Sequence, residues 1–93
     1  MAVTIHIPTP LRAYTDGKAS VQVEGATVGE ALGALTNQHP GLAKNLRDST
    51  GKLRSFVNVY VGEEDIRFLQ KEATPVAAGQ EITIVPSIAG GAA

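Results

Sequence analysis

The sequence predicts an α+β domain in which a mixed sheet of four to five strands packs on one main helix. Three observations carry that prediction. Apolar residues alternate with period two in several short segments, one segment shows helical spacing behind an N-terminal cap, and Gly or Pro punctuates the joins between them.

Val3, Ile5 and Ile7 alternate with Thr4 and His6, which predicts a half-buried strand over residues 2–7. Pro8 and Pro10 end it by removing ladder donors. After a loop containing Asp16-Gly17, Val21 and Val23 alternate with Ser20, Gln22 and Glu24 up to Gly25, the second strand of a hairpin with a long connection. Thr27-Val28-Gly29-Glu30 is a capping box, in which hydroxyl and carboxylate satisfy helix-end N–H groups reciprocally. Val28, Ala31, Leu32 and Leu35 then form one apolar stripe, and Pro40 forbids helix past about His39. Leu42, Ala43 and Leu46 add a short turn beside that helix, whereas residues 48–52 have the composition of a solvated loop.

FVNVYV, residues 56–61, is rich in β-branched and aromatic side chains and is the strongest strand signal in the chain. It ends at Gly62 and the acidic turn Glu63-Glu64-Asp65, after which Ile66 and Phe68 are expected in a short extra strand. Residues 74–79 are turn-like; Ile82 and Ile84 then alternate with Glu81 and Thr83 until Pro86 ends the last strand. The order strand, strand, helix, strand, short strand, strand is the layout of a β-grasp, or ubiquitin-like, roll, with its first and last strands parallel at the sheet centre. Residues 1–86 are expected to form the domain, and residues 87–93 a mobile C-terminal tail carrying a diglycine.

Size and composition narrow the function. A chain of 93 residues and 9.7 kDa buries roughly 64% of its unfolded surface, enough for one thin core and a poor setting for an enclosed active-site cleft. Eight Lys and Arg against nine Asp and Glu give a formal net charge of −1 and no basic footprint, which argues against nucleic acid as a partner. Without Cys there is no disulfide framework, thiolate zinc site or cysteine nucleophile. No stretch has the roughly 18 apolar residues of a membrane span, and the N-terminus lacks a signal-peptide pattern, so a cytoplasmic protein with no membrane partner is expected.

The side chains offer little for catalysis. His6 and His39 sit on different elements with no ligand spacing around them, and adjacent carboxylates in a turn diverge, so neither a metal site nor a catalytic residue is expected. The absence of a Walker or Rossmann spacing argues against a bound nucleotide cofactor. The tail differs. Ala89 to Gly91 extended would reach about 10 Å, and Gly90 and Gly91 lack β-carbons, so a partner's walls can close on the backbone and a second molecule can approach the Gly91 carbonyl carbon. Strand parity further places Phe56, Asn58 and Tyr60 of one strand and Thr83 and Val85 of the last outward, so Val85, Phe56 and Tyr60 form an apolar partner-docking patch near the tail.

VTIHIPTPLR, TVGEALGAL, FVNVYVGEEDIRF and the closing ATPVAAGQEITIVPSIAGG together resemble the MoaD/ThiS family of ubiquitin-like sulfur carriers over essentially the full length, and look most like the CysO type, which supplies sulfur for cysteine synthesis. The resemblance implies a carrier and not an enzyme. Its terminal Gly91 carboxylate would be adenylated by an E1-like ThiF/MoeB-type adenylyltransferase using ATP, then converted to a thiocarboxylate that donates sulfur in biosynthesis. Ile88, Ala89 and Gly90 would form the tail that leads to it. Ala92 and Ala93 follow the diglycine, a departure from the simplest pattern. An amide at the Gly91 carbonyl cannot be adenylated, so a JAMM-type zinc metallopeptidase would remove the two alanines first. The acceptor enzyme would be cysteine synthase-like or the molybdopterin synthase large subunit, the latter if the chain were a molybdopterin synthase small subunit; a thiamine sulfur carrier is a further alternative. A ubiquitin-like protein modifier is an alternative of another class.

Overall fold

The computed structural model describes residues 2–47, 49–50, 53–54 and 57–86. The first alternating segment forms β1 (Ala2–His6) and pairs antiparallel with β2 (Ser20–Glu24), with Val3 opposite Val23 and Ile5 opposite Val21. Between them the expected loop is a 3-10 helix, Thr9–Thr15. Pro10 suits its first turn because a missing N–H costs nothing there, Leu11 is buried beneath it, and the buried Thr15 hydroxyl donates within the turn at 3.0–3.2 Å to the Arg12 and Lys18 carbonyls. Asp16 and Gly17, at φ 57° and 80°, then reverse the chain.

The predicted cap opens α1 (Val28–Gln38): Thr27 Oγ1 accepts from the Glu30 N–H at 3.2 Å. Glu30 reaches back one residue further than a capping box requires, accepting from the Ala26 N–H at 3.0 Å. Val28, Ala31, Leu32 and Leu35 are fully buried, and the helix stops at His39 before Pro40. A short 3-10 turn then leads into α2 (Ala43–Leu46), which buries Leu42 and Leu46 beside α1.

β3 (Val57–Val61), β4 (Glu64–Asp65) and β5 (Glu81–Pro86) complete a five-stranded sheet in the order β2-β1-β5-β3-β4. β1 and β5, neighbours at its centre, run parallel with Ile5 beside Ile82; β3 runs antiparallel to β5. One sheet face, carrying Val3, Ile5, Val23, Val59, Ile82 and Ile84, packs with α1 and α2 into a single core. Burying each such side chain is worth roughly 1.5–3 kcal/mol, more than any single cap or surface pair, so the alternation that marks these positions in the sequence dictates the architecture. The fold is the β-grasp roll that the sequence predicts.

One expected element is misplaced. The short extra strand is Glu64–Asp65, and Ile66 and Phe68 belong instead to a 3-10 turn, Ile66–Phe68. The Asp65 carboxylate accepts from the Arg67 N–H at 2.8 Å and bends the chain out of the sheet. In a strand residues 66 and 68 would share a face; three residues per turn separate them, leaving Ile66 buried and Phe68 85% exposed.

Candidate docking face and the base of the tail

Two backbone registers build the outer sheet face. Antiparallel β3 and β5 place Val85 opposite Asn58 and Thr83 opposite Tyr60, so Tyr60 and Val85 are diagonal neighbours on the face turned away from α1. Ile82 and Ile84, their alternating partners, are 0% and 2% exposed in the core, while Val85 is 40% exposed. The parity expected for Val85, Tyr60 and Asn58 is therefore the observed one. Phe56, the third apolar member of the expected patch, lies outside the described residues, as do Ile88, Ala89, Gly90, Gly91, Ala92 and Ala93.

A polar network frames the patch. Tyr60 pairs with Asp65 across β3 and β4. The Arg67 guanidinium donates from Nη2 to Asp65 Oδ2 at 3.0 Å and to Asn58 Oδ1 at 2.6 Å, tying β3, β4 and the following turn together at the β4 edge of the sheet. These side-chain bonds, followed by the Arg67 backbone N–H and the guanidinium charge, hold the Asp65 carboxyl below the usual carboxylate range against the opposing effect of burial. Asp65 in turn raises the Arg67 pKa above its ordinary value. Further along, His6 Nε2 meets Glu81 Oε1 where β1 and β5 run side by side.

Sequence reasoning missed this network. Asp65 reads there as one of three carboxylates of an acidic turn, with Ile66 and Phe68 in a short strand after it; the turn at Ile66 folds Arg67 back onto Asn58. Tyr60 and Val85 thus offer a small apolar contact area framed by hydrogen-bonded polar groups, and these described residues include no nucleophile–base pair. Among the described residues no three His, Asp or Glu side chains converge on a metal position, and no helix is long and apolar enough to cross a membrane.

β5 delivers the chain to the edge of this face. Its last pair sets Pro86 opposite Val57, one position beyond Val85, and the described residues end there. The ThiS family pattern matches residues 5–91, from the second half of β1 through the diglycine.

The chain belongs to the ThiS family. It is 45% identical to the sulfur carrier protein CysO of Mycobacterium tuberculosis over 93 residues, covering 98% of this chain and all of that one. It is 40% identical over 72 residues to small archaeal modifier protein 1 of Haloferax volcanii, covering 76% of this chain and 78% of the relative. Among solved structures, the Amycolatopsis orientalis BexX/CysO complex contains a chain that superimposes with a TM-score of 0.87 at 43% identity, covering 96% of this ThiS-family chain and 99% of that one. The agreement spans the β-grasp body and extends over Gly90 and Gly91.

Proposed function

We propose that this ThiS-family chain is a sulfur carrier whose C-terminal glycine, Gly91, is the site of sulfur attachment, with cysteine biosynthesis as the receiving pathway. The full-length identity to a CysO sulfur carrier supports the reading most directly. The family match ending at residue 91, two residues before Ala93, supports removal of Ala92 and Ala93 by a zinc metallopeptidase of the JAMM type before use.

The chemistry asked of the chain is small. An E1-like enzyme supplies ATP; the Gly91 carboxylate attacks the α-phosphorus and pyrophosphate leaves. A sulfur nucleophile at sulfide level then displaces AMP from the acyl-adenylate, leaving C(=O)S⁻ at Gly91. The domain contributes no reacting group beyond that carboxylate. It supplies a docking face around Val85 and Tyr60 and a tail through Ile88, Ala89 and Gly90 that is narrow enough for a partner's active site to close on. The BexX/CysO complex supports a carrier that works by docking on a second protein.

The test is mass spectrometry of the chain ended at Gly91 after incubation with an E1-like enzyme of this family, ATP and sulfide. The C-terminal peptide should gain the mass difference between oxygen and sulfur. A second reading, protein modification, is favoured by the likeness to a small archaeal modifier protein. It predicts an isopeptide from Gly91 to a target lysine and no thiocarboxylate in the same digest.

A further inference from the structure

On the helix side of the sheet, opposite the docking face, the structure opens a cavity of about 470 Å³. Val57, Val59, Leu53 and Ile66 make its apolar floor. Its rim carries three cations, Arg54, Arg67 and Lys71, and one anion, Glu72, which is already engaged by the Arg47 guanidinium at 2.7 and 3.2 Å. Arg67 is matched by Asp65. Lys71 has no ion-pair partner among the described residues and stands on a left-handed turn at φ 54°, a conformation that a lysine adopts at a cost. The Thr74 hydroxyl, accepting from the Gln70 N–H at 3.0 Å, and the Lys71 carbonyl, accepting from the Thr74 N–H at 3.1 Å, hold that turn.

We infer that this cavity is the resting seat of the chain's own C-terminal segment, with Ile88 on the apolar floor and the terminal carboxylate of the trimmed chain facing Lys71. Register argues for it first: Pro86 pairs with Val57, so the segment leaves β5 beside a floor residue. Parity argues second. Ile82 and Ile84 point to the helix side, and Ile88 falls in the same phase, making it the apolar residue of the tail that a continued strand would aim at the cavity. Length argues third, since residues 87–91 span up to about 17 Å when extended. Charge argues last: a carboxylate or thiocarboxylate is an anion arriving at a rim where Lys71 has no ion-pair partner among the described residues.

A tail seated there is held on the opposite side of the sheet from Val85 and Tyr60. The docking face stays open, so a partner can engage the body first and draw the reactive end out afterwards. The carboxylate contact rests on the carrier reading; the seat for Ile88 does not.

The chain contains no Cys, so Ala89→Cys gives one unique position for a nitroxide label. With the chain ended at Gly91, paramagnetic broadening of amide resonances should fall on Ile66, Lys71 and Glu72, well removed from Pro86 in sequence, and disappear in Ile88→Asp. Lys71→Glu should weaken it. Unshifted amides of β1 and β2 in each variant report that the fold is intact. Broadening confined to the neighbours of Pro86, or unchanged in Ile88→Asp, overturns the inference. So does broadening of an unlabelled chain mixed with the labelled one, which would make a second copy the occupant. None of these readouts involves adenylation, so their failure leaves the thiocarboxylate test at Gly91 standing.

Discussion

Gly25 is held to glycine by a neighbour and not by its own backbone angles. A β-carbon there would lie 2.7 Å from the Ala31 nitrogen and 3.0 Å from its α-carbon, inside the first turn of α1. Neither atom can swing away, so Gly25→Ala should destabilise the domain by about 1–3 kcal/mol, measurable as a lower urea midpoint. Asp65 makes the opposite kind of contribution, through charge. Its folded pKa lies below the ordinary 3.8 because the Arg67 side chain bonds its carboxylate, with the backbone N–H and the charge of the same residue adding to the effect. Such a carboxylate contributes stability above its unfolded pKa, and the contribution is lost as pH falls from near 3.8 through the depressed folded value. Asp65→Asn should therefore flatten the decline of thermal stability over that acid range while lowering stability at neutral pH; an unchanged acid slope would refute the role. The sequence marks Asp65 only as part of an acidic run. What distinguishes it from Glu63 and Glu64 is the return of Arg67, a contact made across a turn that spacing does not reveal.

Among the elements, α1 is the most legible, because stripe, cap and stop coincide in one short stretch. Its start is better anchored than a capping box alone provides: Thr27 bridges to Pro75, the Val28 N–H donates to the Thr74 carbonyl at 2.9 Å, and the Ala26 carbonyl accepts from Val76. That ladder takes up backbone groups a free helix end would leave to side chains, and Glu30 reaches past Thr27 to Ala26. Thr27→Ala should thus remove one hydrogen bond and cost about 1 kcal/mol, read from the thermal midpoint, with the helical signal intact below it. The elements read less well are those whose geometry depends on a contact distant in sequence or on a local turn. Ile66 and Phe68 mimic strand alternation, yet the Asp65 cap makes a 3-10 turn of them. The 3-10 helix after Pro8 has too little periodicity to announce itself, although Leu11 and Thr15 are buried within it.

At the scale of the molecule the β-grasp was readable because hydrophobic alternation and Gly/Pro punctuation are properties of each segment, and the mixed sheet follows once the segments must share one core. The outward parity of Tyr60 and Val85 was readable; the polar frame of Asp65, Arg67 and Asn58 beside them was not. Val85→Asp should leave that body intact, since the side chain faces solvent, and should weaken E1 engagement by setting a charge in the apolar centre of the patch. The expected result is an unchanged urea midpoint with a higher half-saturating carrier concentration for adenylation; equal saturation curves would remove the face from the account. The parallel pairing of β1 with β5 has a mechanical consequence. Because the two strands point the same way at the sheet centre, tension between the start of β1 and the end of β5 loads their hydrogen bonds in shear, all at once, and does not unzip them one by one. A pull on the diglycine end opposed at the N-terminal end is therefore borne by the strongest axis of the sheet, flanked on both sides by further strands. In the sulfur-carrier reading, the end that partners would grip is thus the one at which the body is hardest to tear.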